Sequence, residues 1–243
     1  MFAFEALVSL TDGLSGKGIA RHSAKRWVFL AGGLLSAIAG YVNVVMLSFF
    51  AVPVSHMSGP VSRLSIDIAV ADLADLMLVA GILAGFLFGA MLSGLLIGSA
   101  TLRAGKRYGG VLILQGAILS LATVMALNDV TLAVPLAALA CGLQNAMASS
   151  YRGLELRTTH VTGIVTDIGV LIGQRLRQRY IRIWKLWLLL TLLFSFFAGG
   201  IGGALLVKEM GMGALGVAAA ACVVLGAGYI IVQHRVNIKS KTA

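Results

Sequence analysis

Charge is scarce in this chain. Of 243 residues, 12% are Asp, Glu, Lys or Arg, about half the share of an ordinary soluble domain. With 59% hydrophobic residues and a mean hydropathy of +0.96, that scarcity excludes a soluble globular domain, a disordered chain and a charge-rich coiled coil. Cysteine is almost missing. Cys141 and Cys222 both sit in apolar runs, which leaves no disulfide framework and no metal-ligand spacing. Proline occurs only 3 times. Enzyme signatures are absent too: there is no Gly-x-Ser-x-Gly, His-Glu-x-x-His, P-loop or Gly-x-Gly-x-x-Gly. The expectation is therefore a protein that is not an enzyme, with no cofactor and no bound metal.

What is abundant is long apolar sequence. A helix crossing a bilayer needs about 20 mostly apolar residues. Six stretches qualify, at 28–52, 76–100, 108–128, 131–151, 186–207 and 211–232, and none contains Asp, Glu, Lys or Arg. Charge is excluded from these stretches because an ion at the bilayer centre is costly. All of the 19 basic residues except Arg63 and Lys208 fall on one side of a six-span topology. That side should be the cytoplasm, with both termini on it. The net charge of +10 then reflects loops lying on anionic lipid headgroups rather than contact with nucleic acid. The run Arg175 to Arg182 is the clearest such loop. Residues 1–27 read as a cytoplasmic basic segment and 233–243 as a cytoplasmic basic tail.

The chain also resembles itself. His56-Met57-Ser58-Gly59-Pro60-Val61-Ser62 and His160-Val161-Thr162-Gly163-Ile164-Val165-Thr166 share the pattern His-x-[Ser/Thr]-Gly-x-Val-[Ser/Thr]. Upstream, Gly40-Tyr41-Val42-Asn43 is matched by Gly142-Leu143-Gln144-Asn145; downstream, the run Gly85 to Gly98 is echoed by Gly199 to Gly203. Each half then holds three spans and one polar segment, within 28–128 and 129–232. Three is odd, so the halves must be inverted relative to one another. The expected fold is an all-α integral membrane protein of six transmembrane helices in a 3+3 inverted repeat. The segments 54–74 and 158–174 are short discontinuous or re-entrant pieces that meet toward the middle.

Inverted repeats of this kind place a solute site at their interface. The candidate substrate-binding residues are Asn43, His56, Ser58, Gly59, Gln144, Asn145, Thr162, Gly163 and Thr166. Asn43 and Asn145 either coordinate a solute or make interhelical hydrogen bonds. His56 and His160 are either proton carriers or helix starts. Ser58-Gly59 and Thr162-Gly163 read as turns whose hydroxyls cap short helices and leave N–H groups for an anion. His160 and Asp167 are the candidate coupling or gating groups. Asp167 is expected as a membrane-embedded carboxylate, or paired with Arg157 or Arg175. Asp67, Asp72 and Asp75 read as a solvated face. The spaced glycines pack helices and could join copies into a homo-oligomer.

On these segments the chain resembles the YoaK-like family of uncharacterised bacterial membrane proteins, which carry a domain of unknown function. The likeness covers roughly residues 30–232. It rests on Gly142 to Ala146, Arg157 to Gly163 and Thr166-Asp167, and in the first half on Ala39 to Val42 and His56 to Gly59. The chain departs from the family's pattern at Asn43, where Asp is usual, and at Pro60, where Asn is usual. The resemblance implies a helical fold in the bacterial membrane and no particular substrate. The expected function is a small-solute permease or secondary transporter for a polar solute or ion. The alternative is a non-transporting scaffold or accessory subunit.

Overall fold

The computed structural model describes residues 19–97, 107–149, 158–177, 181 and 183–242. The expectations placed on Lys17, Gly98, Arg103, Lys106, Arg152, Arg157, Arg179 and Arg182 lie outside the described residues. Among the described residues the regular structure is helical: α1 (Ile19–Phe50), α2 (Ser58–Val70), α3 (Leu73–Ile97), α4 (Arg107–Leu127), α5 (Ala133–Ser149), α6 (Val161–Leu176), α7 (Ile183–Met210) and α8 (Ala214–Thr242). Such apolar sequence has little choice. In hydrocarbon every backbone N–H and C=O must be paired within the segment, and a helix does this locally.

Four stretches are long and apolar enough to cross a membrane: Arg26–Phe50, Asp75–Ile97, Arg107–Leu127 and Ile183–Arg235. The last is 53 residues long, more than twice what one crossing needs. It comprises α7 and α8, joined by a 3-10 turn at Gly211–Gly213. Gly211 takes φ +57° there, a conformation open to glycine at little steric cost. Helix α5 is also apolar but has only 17 residues.

The helices stop where the backbone turns left-handed. Ala51, Ala71 and Asp129 have positive φ just past α1, α2 and α4. At the end of α2 the Asp72 N–H returns to the Asp67 carbonyl (3.0 Å) and closes the last turn. Pro60 and Pro135 sit within the first turns of α2 and α5, where their missing N–H has no intrahelical acceptor to lose.

Helix ends sort into two groups. The start of α4 and the ends of α3, α5 and α8 meet through Tyr108, Ile97, Met147 and Tyr229, with Leu35 of α1 against them. Trp27, near the start of the apolar part of α1, stacks on Tyr229 with ring centroids 6.0 Å apart. Arg26 and Arg107 border this group, which we term the basic end. At the opposite end, the ends of α1, α4 and α7 meet the starts of α5 and α8 through Met46, Ala122, Leu206, Val134 and Ala214.

Three helix pairs carry most of the packing: α1 with α7, α3 with α5, and α4 with α8. Their contacts come in matched sets. The Gly40 Cα faces the Phe196 carbonyl, and the Gly142 Cα faces the Phe86 carbonyl. The Gly89 Cα lies on the Leu139 carbonyl, and the Gly199 Cα on that of Ala37. In the third pair, Gly109 meets Gly226, and Gly116 meets Ala219. Exchanging the halves converts each of these contacts into its mate. The glycines expected to join copies are thus used inside the chain, except that Gly94 faces open space.

A methyl group added at Gly40, Gly89, Gly142 or Gly199 would collide with a backbone carbonyl, which cannot rotate away. Gly89→Ala and Gly199→Ala should each cost about 2 kcal/mol or more, read as a lower Tm in thermal unfolding. Gly94→Ala should leave Tm within error or raise it slightly.

Candidate functional site

The site is built where two loops fold back into the bundle. The chain leaves α1 at Phe50 and turns inward through Val54, which is fully buried. The Ser55 hydroxyl then donates to Asn43 Oδ1 at 2.8 Å, and the Ser55 N–H donates to the same oxygen at 3.2 Å. Ser55 Oγ also lies 2.9 Å from His56 Nδ1. One hydroxyl proton cannot serve both neighbours, so with that proton on Asn43 the Nδ1–H of His56 is the donor and Nε2 is left as an acceptor. The His56 ring packs edge-on against Phe196, centroids 5.4 Å apart. Phe196 lies halfway along α7, so His56 sits deep between the two ends.

The second loop repeats this arrangement. The Thr159 hydroxyl donates to Asn145 Oδ1 at 3.0 Å, and His160 follows as the N-cap of α6. Thr158, one residue earlier, lies against Ser36, whose hydroxyl is within donating distance of the carbonyls of Thr158 (3.0 Å) and Leu192 (2.8 Å) and serves one of them at a time. Ser36 and Leu192 lie well inside α1 and α7. The two imidazoles are near enough to act on one another electrostatically. His56 is half-buried and His160 exposed, and they belong to loops that begin at opposite ends.

The remaining candidates separate into those that hold the fold and those that stand outside it. Gln144 is buried and structural: its Oε1 accepts from Gln115 Nε2 (2.6 Å), and its Nε2 donates to the Leu35 carbonyl (2.7 Å). Asn43 and Asn145 spend their carbonyl oxygens on the loops, which favours the hydrogen-bonding reading of both. Ser58 and Thr162 are not caps. Met57 and His160 hold the N-cap positions of α2 and α6, with no side-chain cap bond. Ser58, Gly59, Thr162 and Thr166 are exposed, and the Thr166 hydroxyl donates to the Thr162 carbonyl. Gly163 packs under the His160 ring.

Two expectations about charge are corrected. Asp167 pairs with Lys185 at 3.7 Å rather than with Arg175, and its side chain is 53% exposed on the outside of the helix bundle. Asp67 is not on a solvated face, since it is only 3% exposed. Arg63 Nε donates to Asp67 Oδ1 at 3.1 Å, while Oδ2 has no partner. The Arg63 guanidinium also pairs with Asp75. Hydrogen bonds to Asp75 first and to Asp67 second hold Arg63 even further above its ordinary pKa. The exchange of halves that relates the glycines also carries Arg63–Asp75 onto Asp167–Lys185, with the signs reversed. Each short helix, α2 and α6, is thus tied to the first turn of the long helix that follows it.

Ser55 and Thr159 were legible. They extend the repeated pattern by one hydroxyl residue, to [Ser/Thr]-His-x-[Ser/Thr]-Gly. Ser36, Thr158 and Gln115 had no such signal, because their partners lie far away in sequence.

These elements define the class: an α-helical membrane protein whose two halves bring matching polar loops into the interior. The chain belongs to the DUF1275 family of proteins of unknown function, whose family model matches residues 31–228. The YoaK-like resemblance read from the sequence agrees with that membership. No curated protein and no solved structure matches it.

The loop anchors can be measured. A double-mutant cycle on Asn145→Ala and Thr159→Val should give a coupling of about 0.6–1.7 kcal/mol by thermal or denaturant unfolding. The charged pairs should behave differently from one another. Arg63→Leu strands a buried carboxylate and should lower Tm in thermal unfolding. Lys185→Gln, in an exposed pair, should stay within about 0.5 kcal/mol at any pH.

Proposed function

We propose that this chain is a small-solute permease of the bacterial inner membrane, with six spans arranged as a 3+3 inverted repeat. The observation that carries this reading is the matched anchoring of the loops that bear His56 and His160. They come from loops of the same hydrogen-bonding plan that enter from opposite ends. A scaffold has no need to bring two polar loops into an apolar interior, where every unpaired group costs free energy.

Six spans follow if α7 and α8 cross separately and α5 also crosses; 17 residues is the lower end of the spanning range. Inversion fits the matched helix contacts. Placing the basic end in the cytoplasm agrees with Arg26, Arg107, Arg175, Lys185 and Arg235 at or near it, and Arg63 and Lys208 near the other. Both termini are then cytoplasmic, and the basic loops lie on anionic headgroups. The solute passes the tips formed by Ser55-His56 and Thr159-His160, and no bond is made or broken in it. His56 Nε2 and the His160 ring are the groups that greet it. Asp167, paired at the surface, is no longer needed for coupling.

A thermal-shift screen of purified protein against ions, amino acids, organic acids and uncharged metabolites tests this reading. A true ligand at 100 times its Kd should stabilise the fold by about 2.7 kcal/mol. The shift should be lost in His56→Leu and His160→Leu proteins that still elute as single species. If no solute stabilises the wild type and both variants melt no lower than it, the tips are packing elements and the permease reading fails.

A further inference from the structure

The two ends of the molecule are not packed alike. A half-enclosed cavity of about 200 Å³ lies at the basic end between α1, α4, α5 and α8. Leu35, Leu112, Met147, Leu225 and Tyr229 line it, and Thr158 closes its inner wall beside the His160 tip. Exchanging the halves carries these residues onto Ala137, Cys222, Val45, Gln115 and Leu119, with Val54 in place of Thr158. Every one of those six is buried at the opposite end, between 0% and 1% exposed. All but Gln115 belong to the largest hydrophobic cluster. The same contrast is seen between helices: α4 packs closely on α5, whereas the exchanged pair, α8 and α1, touch lightly.

At three positions the cavity has smaller side chains than the filled seam. Gly32, Ala148 and Gly228 line the cavity, and their mates at the opposite end are Val134, Met46 and Ile118. The filled seam stays shut because opening it would expose apolar area from a well-packed core. Among the described residues, the wall of the cavity carries no Asp, Glu, Lys, Arg or His. Its polar side-chain groups are those of Trp27, Tyr108, Tyr229 and Thr158. A charged solute would lose its hydration there without compensation. An apolar cavity of about 150 Å³ is already enough for a benzene ring.

We propose that this cavity is the open half of a two-state pathway for an uncharged, ring-sized solute, and that the buried patch around Cys222 is its closed half. The proposal rests on the permease reading and names its solute class and its gates. In the second state α1 closes on α8 while α4 parts from α5, and the inner tips remain the fixed point between them.

Native Cys222 and its mate Leu112 report on the two ends. One protein carries Cys141→Ser, so that Cys222 is the sole cysteine. A second carries Cys141→Ser, Cys222→Ser and Leu112→Cys. Maleimide should label the cysteine at 112 at least tenfold faster than Cys222. A wedge in the filled seam, Ile118→Trp or Leu136→Trp, should then speed labelling of Cys222 and slow labelling at 112 together. Either wedge suffices, provided that the protein elutes as one species and melts cooperatively. Faster Cys222 labelling without slower labelling at 112 would mean general loosening and would overturn the proposal. Unchanged rates at both positions in a folded wedge variant would mean a fixed cavity and would also overturn it. Benzyl alcohol should slow labelling at 112 several-fold, and benzoate at equal concentration should not; equal or absent protection would overturn the solute class. A solute that still stabilises the wild type through the histidine tips, with no opposed change in labelling, would leave the permease reading standing and remove only the two-state pathway.

Discussion

Helix axes in this protein approach as closely as backbone atoms allow, and the rest of the structure depends on that approach. Gly40 against the Phe196 carbonyl and Gly142 against that of Phe86 remove the side-chain layer that normally separates two helices. Between apolar helices in lipid there is little hydrophobic force to gain, so van der Waals contact supplies the association. Contact of that quality needs glycine at the crossing point. Each crossing fixes the depth of one helix against another. The depth of Phe196 in turn fixes where the ring of His56 can rest. A polar loop can reach the interior only because the helices around it cannot slide.

The polar groups inside follow from the same economy. Asn43 and Asn145 each commit the carbonyl oxygen of the side chain to the loop that turns back beside it. Their amides fold the tips, and the tips present the histidines. Gln144 does comparable service by linking α1, α4 and the Thr158 loop in one chain of hydrogen bonds. The residues available to a solute are those that these anchors leave exposed, together with a cavity whose wall is apolar. A molecule passing here would meet few hydrogen-bonding partners and no fixed charge.

The charged pairs reveal how the two halves have diverged. Arg63 with Asp75 and Asp167 with Lys185 occupy equivalent places with opposite signs. The constraint on both is to tie a short helix to the start of the next long one, and either polarity does that. Asp67 has no such counterpart: its mate is Leu171. A half-satisfied carboxylate in one half faces an apolar residue in the other. The halves keep one plan of backbone contacts and differ in the side chains around it. The cavity at the basic end and the filled seam opposite are one such difference, with Gly32, Ala148 and Gly228 at the first in place of Val134, Met46 and Ile118 at the second.

Much of this was determined by the sequence alone. Hydropathy and the exclusion of charge set the helices, because hydrocarbon permits no other local backbone structure here. The repeated His-x-[Ser/Thr]-Gly pattern marked the two tips, because each tip is a local turn with local chemistry. The spaced glycines announced close packing, though not which surfaces would meet. Only the tertiary structure decided the rest. It turned Asn43 and Asn145 into anchors, buried Asp67, brought Asp167 to Lys185 and left a cavity at the basic end. Each of these depends on which residue from a distant helix arrives opposite, and periodicity along one helix carries no record of its partner. Ser36, for instance, reads as an ordinary small residue in an apolar run until the carbonyls of Thr158 and Leu192 come within reach of it.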